Sequence, residues 1–189
     1  MQTQKQINIS KTMSYALRHN PQKFKLVLDD YGFTDINVFL TNLQKYDKKC
    51  KDLTMEELKE IVRTCPKQRY EIKDGQIRAK GGYSKNIGKN IKGIPVVPPD
   101  ILYHGTTPEN VDSILEKGIL SMQRQRVDMS EDIETAIVVG KRRCTNPVVF
   151  EVNAKQAYLD GMEFYLESIK TYSVKDCMPS KYIKIIRKW

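Results

Sequence analysis

Histidine is scarce in this 189-residue chain: it has two, His19 and His104, and they do not form a pair spaced to hold a metal. The four cysteines, Cys50, Cys65, Cys144 and Cys177, are scattered and never form a Cys-x-x-Cys. That argues against a zinc site and against a disulfide framework, and makes reduced thiols the default. No apolar run approaches the roughly 18 residues that a membrane span needs, and no charged-then-apolar signal segment opens the chain. These absences predict a soluble, cytoplasmic protein with no membrane partner. The sequence also lacks a Gly-x-Gly-x-x-Gly fingerprint, a Walker loop and a Gly-x-Ser-x-Gly elbow, so the standard nucleotide-binding and hydrolytic motifs are excluded.

Positive charge, by contrast, is abundant and unevenly placed. Residues 1–93 carry 19 Lys and Arg against 10 Asp and Glu, a net of +9, whereas residues 94–189 carry 13 of each. A basic segment is an electrostatic footprint for polyanions, so nucleic-acid contact is expected of the first half. The length suits one large domain or two small ones. A Gly-, Asn- and Lys-rich stretch from about residue 81 gives way to Ile94-Pro-Val-Val-Pro-Pro-Asp100, a composition shift typical of a linker. Two lobes, 1–93 and 94–189, are therefore predicted.

In the first lobe Ile9, Met13, Ala16 and Leu17 share a helical face, and Asn20-Pro21 stops the helix, which leaves Arg18-His19 in its last turn. Phe24 to Leu28 alternates like a short strand. Thr34 or Asp35 is expected to cap a second helix carrying Ile36, Phe39, Leu40 and Leu43, and Thr54-x-x-Glu57 is a capping box for a third. Residues 69–79 read as a hairpin turning at Asp74-Gly75, which pairs Lys73 with Gln76, Ile72 with Ile77, Glu71 with Arg78 and Tyr70 with Ala79. One face is then Tyr70, Ile72, Ile77 and Ala79. The other is a largely cationic strip of Arg69, Glu71, Lys73, Gln76, Arg78 and Lys80, a candidate phosphate surface. Helices followed by a hairpin suggest a winged helix.

The second lobe reads as α+β with a compact sheet. Ile101 to Tyr103 is a strand running into His104-Gly105-Thr106, and Thr107-Pro108 starts a helix that ends before Gly118. Ser130, with Glu131, Asp132 and Glu134, is expected to open another helix. Val148 to Val152, Phe164 to Leu166 and Tyr182 to Ile186 read as strands, with a short helix at Lys155 to Tyr158. Arginines on apparent turns and edges (Arg18, Arg69, Arg78, Arg124, Arg126) would form a phosphate clamp if they converged, because a guanidinium keeps its charge and presents a planar fork to phosphate oxygens. By itself, Arg18-His19 fits either such a site or a simple complement to the helix dipole.

Six short motifs then occur in order: Ser10-Lys11-x-Met13-Ser14-x-x-Leu17-Arg18-His19-x-Pro21, Leu26-x-Leu28-Asp29-x-x-Gly32-Phe33, Lys67-x-Arg69-Tyr70, Ile77-Arg78-Ala79, Leu102-Tyr103-His104-Gly105-Thr106 and Met122-x-Arg124. In this order the chain resembles the RNA 2′-phosphotransferases, including the tRNA-splicing enzyme, from about Lys11 to Ile183. The resemblance implies an N-terminal winged-helix lobe joined to a C-terminal ADP-ribosyltransferase-like mixed α/β lobe that binds NAD+. It implies a catalytic set of Arg18, His19, Arg69 and Arg124 around one cleft, and NAD+ contacts from His104, Gly105, Thr106 and Ser130, with no metal. In the implied reaction an internal RNA 2′-phosphate attacks the nicotinamide-bearing ribose carbon and nicotinamide leaves. The neighbouring ribose 2″-hydroxyl then releases 2′-hydroxyl RNA and ADP-ribose 1″,2″-cyclic phosphate. A monomer acting on tRNA-like RNA is expected.

Two motifs depart from the family pattern. Gly82-Tyr83-Ser84 stands where the family has Gly-His-Ser. Arg124-Gln125-Arg126-Val127-Asp128-Met129-Ser130 stands where it has Arg-x-His-Val-His-x-Ser. Arg126 and Asp128 would share a face of an extended segment and could pair with each other. Two alternatives to the enzyme remain: an RNA-binding relative without turnover, and an ADP-ribosyltransferase acting on terminal phosphates.

Overall fold

The computed structural model describes residues 2–87 and 90–187. Gly88 and Lys89 of the expected linker lie outside the described residues. The fold is mixed α/β, in two compact units, residues 1–93 and 94–189.

In the first unit α1 (Gln4–Arg18) starts at a capping box between Thr3 and Gln6 and buries Ile9, Met13, Ala16 and Leu17, the face that periodicity selects. Phe24 and Leu26 are buried, but no strand forms at Phe24 to Leu28. A 3-10 turn at Gln22–Phe24 ends in Lys25 with φ of 51°, and that left-handed residue breaks the extended run. The alternation therefore reflects a loop pinned by two apolar side chains. β1 (Thr34–Asp35) leads into α2 (Ile36–Tyr46), and Asp35 is its N-cap, accepting from the amides of Asn37 at 2.8 Å and Val38 at 2.9 Å. α3 (Met55–Thr64) begins at the Thr54–Glu57 capping box. β2 (Tyr70–Lys73) and β3 (Gln76–Ala79) form the hairpin in the expected register, and β1 adds to its β3 edge, giving the order β1-β3-β2. Asp74 and Gly75 both have positive φ, 49° and 74°, as a two-residue turn matched to strand twist requires. Tyr70, Ile77 and Ala79 are buried, so one hairpin face closes over the core of Met13, Leu17, Phe39, Leu43, Leu58 and Ile61.

The second unit contains β4 (Pro95–Val96), β5 (Ile101–Thr106), α4 (Val111–Lys117), β6 (Ile119–Leu120), β7 (Arg126–Ser130), α5 (Ile133–Gly140), β8 (Val148–Asn153), α6 (Ala154–Leu159), β9 (Phe164–Ser168), β10 (Thr171–Lys175), β11 (Cys177–Met178) and β12 (Ile183–Arg187). Seven strands pair antiparallel in the order β12-β8-β5-β7-β10-β9-β4, and β11 pairs with β6. Leu102, Val127, Met129, Phe150, Val152, Phe164 and Val174 make the core face of the sheet. By the period of two, Arg126, Asp128 and Ser130 fall on the other face. There α5 lies against β5 at Gly105, where a Cβ would collide with the Ala136 carbonyl oxygen. Ser130 does not open α5 as expected. It closes β7, opposite Tyr103 and Thr171, and Asp132 is the cap, accepting from the Thr135 amide at 2.7 Å. A carboxylate at the N-terminus of a helix also complements its dipole, which favours Asp132 over a serine already committed to a ladder.

Candidate active site

In the first unit, groups far apart in sequence meet at the C-terminal end of α1. The helix leaves its last carbonyls without intrahelical donors. The Ser84 amide satisfies that of Arg18 at 2.9 Å, while the Ser84 hydroxyl meets the His19 imidazole, Oγ to Nδ1, at 2.6 Å. The Arg18 guanidinium donates from Nη2 to the Arg69 carbonyl at 3.4 Å, and that carbonyl also takes the Lys80 amide at 2.8 Å. Tyr70, beside Arg69, ties the hairpin to the helix. Its phenol donates to the Ser10 carbonyl at 2.6 Å, so the hydroxyls of Ser14 at 2.7 Å and Ser10 at 3.1 Å must donate to it. Burial pushes the Tyr70 phenol above its ordinary value, which keeps it protonated in this role. Arg18, His19 and the Arg69 backbone thus meet in one place, while the Arg69 guanidinium donates from Nη1 to Cys65 Sγ at 3.8 Å; all three residues are half-buried.

Arg78 serves another purpose. It pairs with Glu71 at 2.6 Å, lies 4.5 Å over the Phe33 ring and donates to the Tyr31 carbonyl at 3.2 Å. The cationic strip is therefore partly neutralised across the strand pair, and Arg78 holds the turn at Tyr31 and Phe33 onto the hairpin. Tyr83, one of the departures in sequence, is a core residue: it is buried, its hydroxyl donates to the Ala79 carbonyl, and it fills the space beside Gly32, whose φ of +83° suits glycine.

In the second unit His104 bridges β5 to β7 through its side chain, Nδ1 lying 3.0 Å from the Asp128 carbonyl. A carbonyl only accepts, so the proton is on Nδ1. Burial holds the imidazole below its ordinary pKa, outweighing the opposite pull of that carbonyl, and leaves it neutral near pH 7 with an acceptor lone pair on Nε2. Thr106 is buried and accepts from the Asn110 amide group at 3.1 Å. Arg124 sits in a turn closed by its own amide on the Ser121 carbonyl at 2.9 Å. Arg126 pairs with Glu167 on β9 at 3.0 Å, and its guanidinium lies 4.2 Å over the Tyr165 ring. Glu167 also accepts from the Ser173 hydroxyl at 2.6 Å. Sequence reasoning did not single out Glu167 or Ser84. The signal was present for Glu167, a charged residue in a strand whose neighbours Phe164 and Tyr165 are apolar. Among the described residues no group of three His, Cys, Asp or Glu side chains is placed to hold a metal ion.

The family model described as "RNA 2'-phosphotransferase, Tpt1 / KptA family" matches residues 4–174, a span that reaches through both units. The chain belongs to this family of transferases. It is 43% identical over 176 residues to a "Probable RNA 2'-phosphotransferase" of Acetivibrio thermocellus, covering 93% of this chain and 94% of the relative. A protein of the same description from Bacillus thuringiensis subsp. konkukian is 40% identical over 178 residues, at 94% of each chain. A "Probable RNA 2'-phosphotransferase 2" of Archaeoglobus fulgidus is 37% identical over 179 residues, covering 94% of this chain and 79% of the relative. In the first unit the Arg18 guanidinium and the His19 imidazole stand at the end of α1, with the Arg69 backbone bonded to Arg18. The second holds Arg124 and a neutral, acceptor-bearing histidine. Among the described residues no helix is long and apolar enough to cross a membrane.

Proposed function

We propose that the protein removes an internal 2′-phosphate from RNA using NAD+ as co-substrate, through an ADP-ribosylated 2′-phosphate, to give 2′-hydroxyl RNA, ADP-ribose 1″,2″-cyclic phosphate and nicotinamide. The observation that carries this reading is the meeting, at the end of α1, of His19 held by Ser84 and Arg18 bonded to the Arg69 carbonyl of the hairpin. A surface kept only for RNA affinity would need exposed cations, not a half-buried imidazole held by a serine next to a half-buried arginine.

When bound, NAD+ supplies an electrophilic ribose carbon and a good leaving group, so no metal has to polarise the reacting centre. The residues of β5 fit such a ligand. His104, neutral and with Nδ1 committed to a carbonyl, accepts a hydrogen bond from a ribose hydroxyl at Nε2. Gly105 and Thr106 continue the same strand, and Ser130 lies opposite Tyr103 on β7. Arg18 and Arg69 hold the 2′-phosphate and offset its charge as it redistributes. His19 moves the proton of the step that frees the RNA, the general acid–base role to which an imidazole is suited.

The test is incubation with NAD+ and an oligoribonucleotide bearing one internal 2′-phosphate. Stoichiometric nicotinamide, cyclic phosphate and dephosphorylated RNA are expected. RNA binding with no nicotinamide release would instead establish a binding protein without turnover, and ADP-ribosyl capping of a terminally phosphorylated RNA alone would establish the terminal-phosphate activity.

A further inference from the structure

Ser84 stands outside the residues implicated so far, yet it makes two bonds to consecutive residues of the helix end. Its amide donates to the Arg18 carbonyl at 2.9 Å, and its hydroxyl meets His19 Nδ1 at 2.6 Å. We propose that Ser84 is the positioning residue of His19: it commits Nδ1, so that any proton His19 exchanges with bound substrate passes through Nε2. This rests on the reading of His19 as the proton carrier.

Chemistry favours a hydroxyl for this task. A serine donates to a bare Nδ1 and, by rotating, accepts from a protonated one. The contact therefore survives both protonation states of the ring, and the imidazole keeps its place while its charge changes. A carboxylate at the same point would favour the charged imidazole and hold the proton. A backbone carbonyl, the partner of His104 in the second unit, would fix a proton on Nδ1 permanently. The two histidines are thus set up differently. His104 is locked as a neutral acceptor, and His19 is held by a group that follows its proton.

The backbone around Ser84 is built to hold this geometry. Tyr83 is buried, its hydroxyl bonds to the Ala79 carbonyl at the end of β3, and it packs on Gly32. Three residues on, Ile87 is buried in the same core, and its carbonyl accepts from the Gln22 side chain at 3.0 Å. Ser84 is consequently suspended between two anchored side chains, with its amide on the helix end. Arg18 enters the same construction from the other side, since its carbonyl takes the Ser84 amide and its guanidinium donates to the Arg69 carbonyl. One serine therefore fixes the ring direction of His19 in register with the arginine beside it.

The Ser84 amide is retained in any substitution, so Ser84→Ala removes the imidazole contact and leaves the helix cap. With only two histidines in the chain, the 15N resonances of each imidazole are resolvable, and their positions report which nitrogen carries the proton. Wild type and Ser84→Thr are expected to share one His19 signature with Nδ1 in a hydrogen bond, and Ser84→Ala to shift the Nδ1 resonance as that bond is lost. In the phosphotransfer assay Ser84→Ala is expected to lower kcat by about 10- to 100-fold with KM for RNA nearly unchanged, and Ser84→Thr to restore it. Ser84→Ala with an unchanged His19 spectrum and unchanged kcat would overturn the assignment. So would equal losses in Ser84→Ala and Ser84→Thr, because the hydroxyl would then not be the active feature. If wild type proves to have no phosphotransferase activity, the functional reading fails while the resonance measurement still reads Ser84 on its own.

Discussion

Two side chains carry consequences that single substitutions expose. His104 is neutral in the folded protein because burial lowers its pKa from the ordinary 6.5. The unfolded chain then takes up a proton that the folded chain refuses, so the stability His104 contributes is complete above about pH 7 and is lost as pH falls below about 6.5, at up to ~1.4 kcal/mol per pH unit. Urea unfolding at about pH 7.5 and about pH 5.5 should show this loss in wild type and a smaller one in His104→Asn, which keeps a donor for the Asp128 carbonyl and cannot titrate. The second is Glu167, whose carboxylate is 5% exposed and pairs with the 12% exposed Arg126. Removing one partner of a buried pair strands the other, so Glu167→Ala is expected to cost about 3 kcal/mol or more. The double variant Arg126→Met with Glu167→Gln should cost clearly less than the sum of its parts in chemical denaturation. Tyr165, under the Arg126 guanidinium, is pushed up to about 12, first by burial and then by Glu163, so its ring remains a neutral phenol throughout this pH range.

Elements meet at points where sequence gives little warning. Gly105 lies in the His-Gly-Thr segment that resembles a ligand-binding turn, yet it also occupies the place where α5 touches β5. Gly105→Ala would push a methyl into the Ala136 carbonyl, and a destabilisation of about 1–3 kcal/mol is expected in thermal melts without any ligand. A melt equal to wild type would show that the helix yields and that Gly105 is needed only for binding. The hairpin and α1 meet through Tyr70. Tyr70→Phe removes the phenol that bridges the Ser10 carbonyl and the Ser14 hydroxyl and should cost about 1–3 kcal/mol, with a fall in activity through Arg69. Wild-type stability and turnover would mean that apolar packing alone seats the hairpin. The missing strand at Phe24 to Leu28 belongs here too: alternating burial does not make a strand when the chain turns left-handed at Lys25.

For the whole molecule the decisive quantity is the distribution of charge. With the entire net +9 carried by residues 1–93, affinity for 2′-phosphorylated RNA should fall steeply as salt rises from about 50 to about 200 mM, because bound counterions are released from the phosphates that the cations replace. Binding of NAD+, a small ligand assigned to the neutral second half, should change far less. Calorimetric or fluorescence titrations of both ligands across that salt range would check the contrast. An RNA affinity insensitive to salt would place recognition in something other than the basic half.

How far the sequence alone reached is plain from particular residues. The Thr54 capping box, the α1 face and the Asp74-Gly75 hairpin with its register were all legible, because caps, periodicity and turn type act over a few residues and are written locally. Family membership was legible as well, since ordered short motifs survive where packing detail does not. Tertiary structure decided the rest. That Ser84 meets His19, that Arg126 pairs with Glu167, that Asp132 and not Ser130 caps α5, and that Arg78 serves the hairpin all depend on which strands and helix ends become neighbours. A charged or hydroxyl side chain takes the best-placed partner left after the apolar faces are buried, and that partner is fixed only when the core has formed.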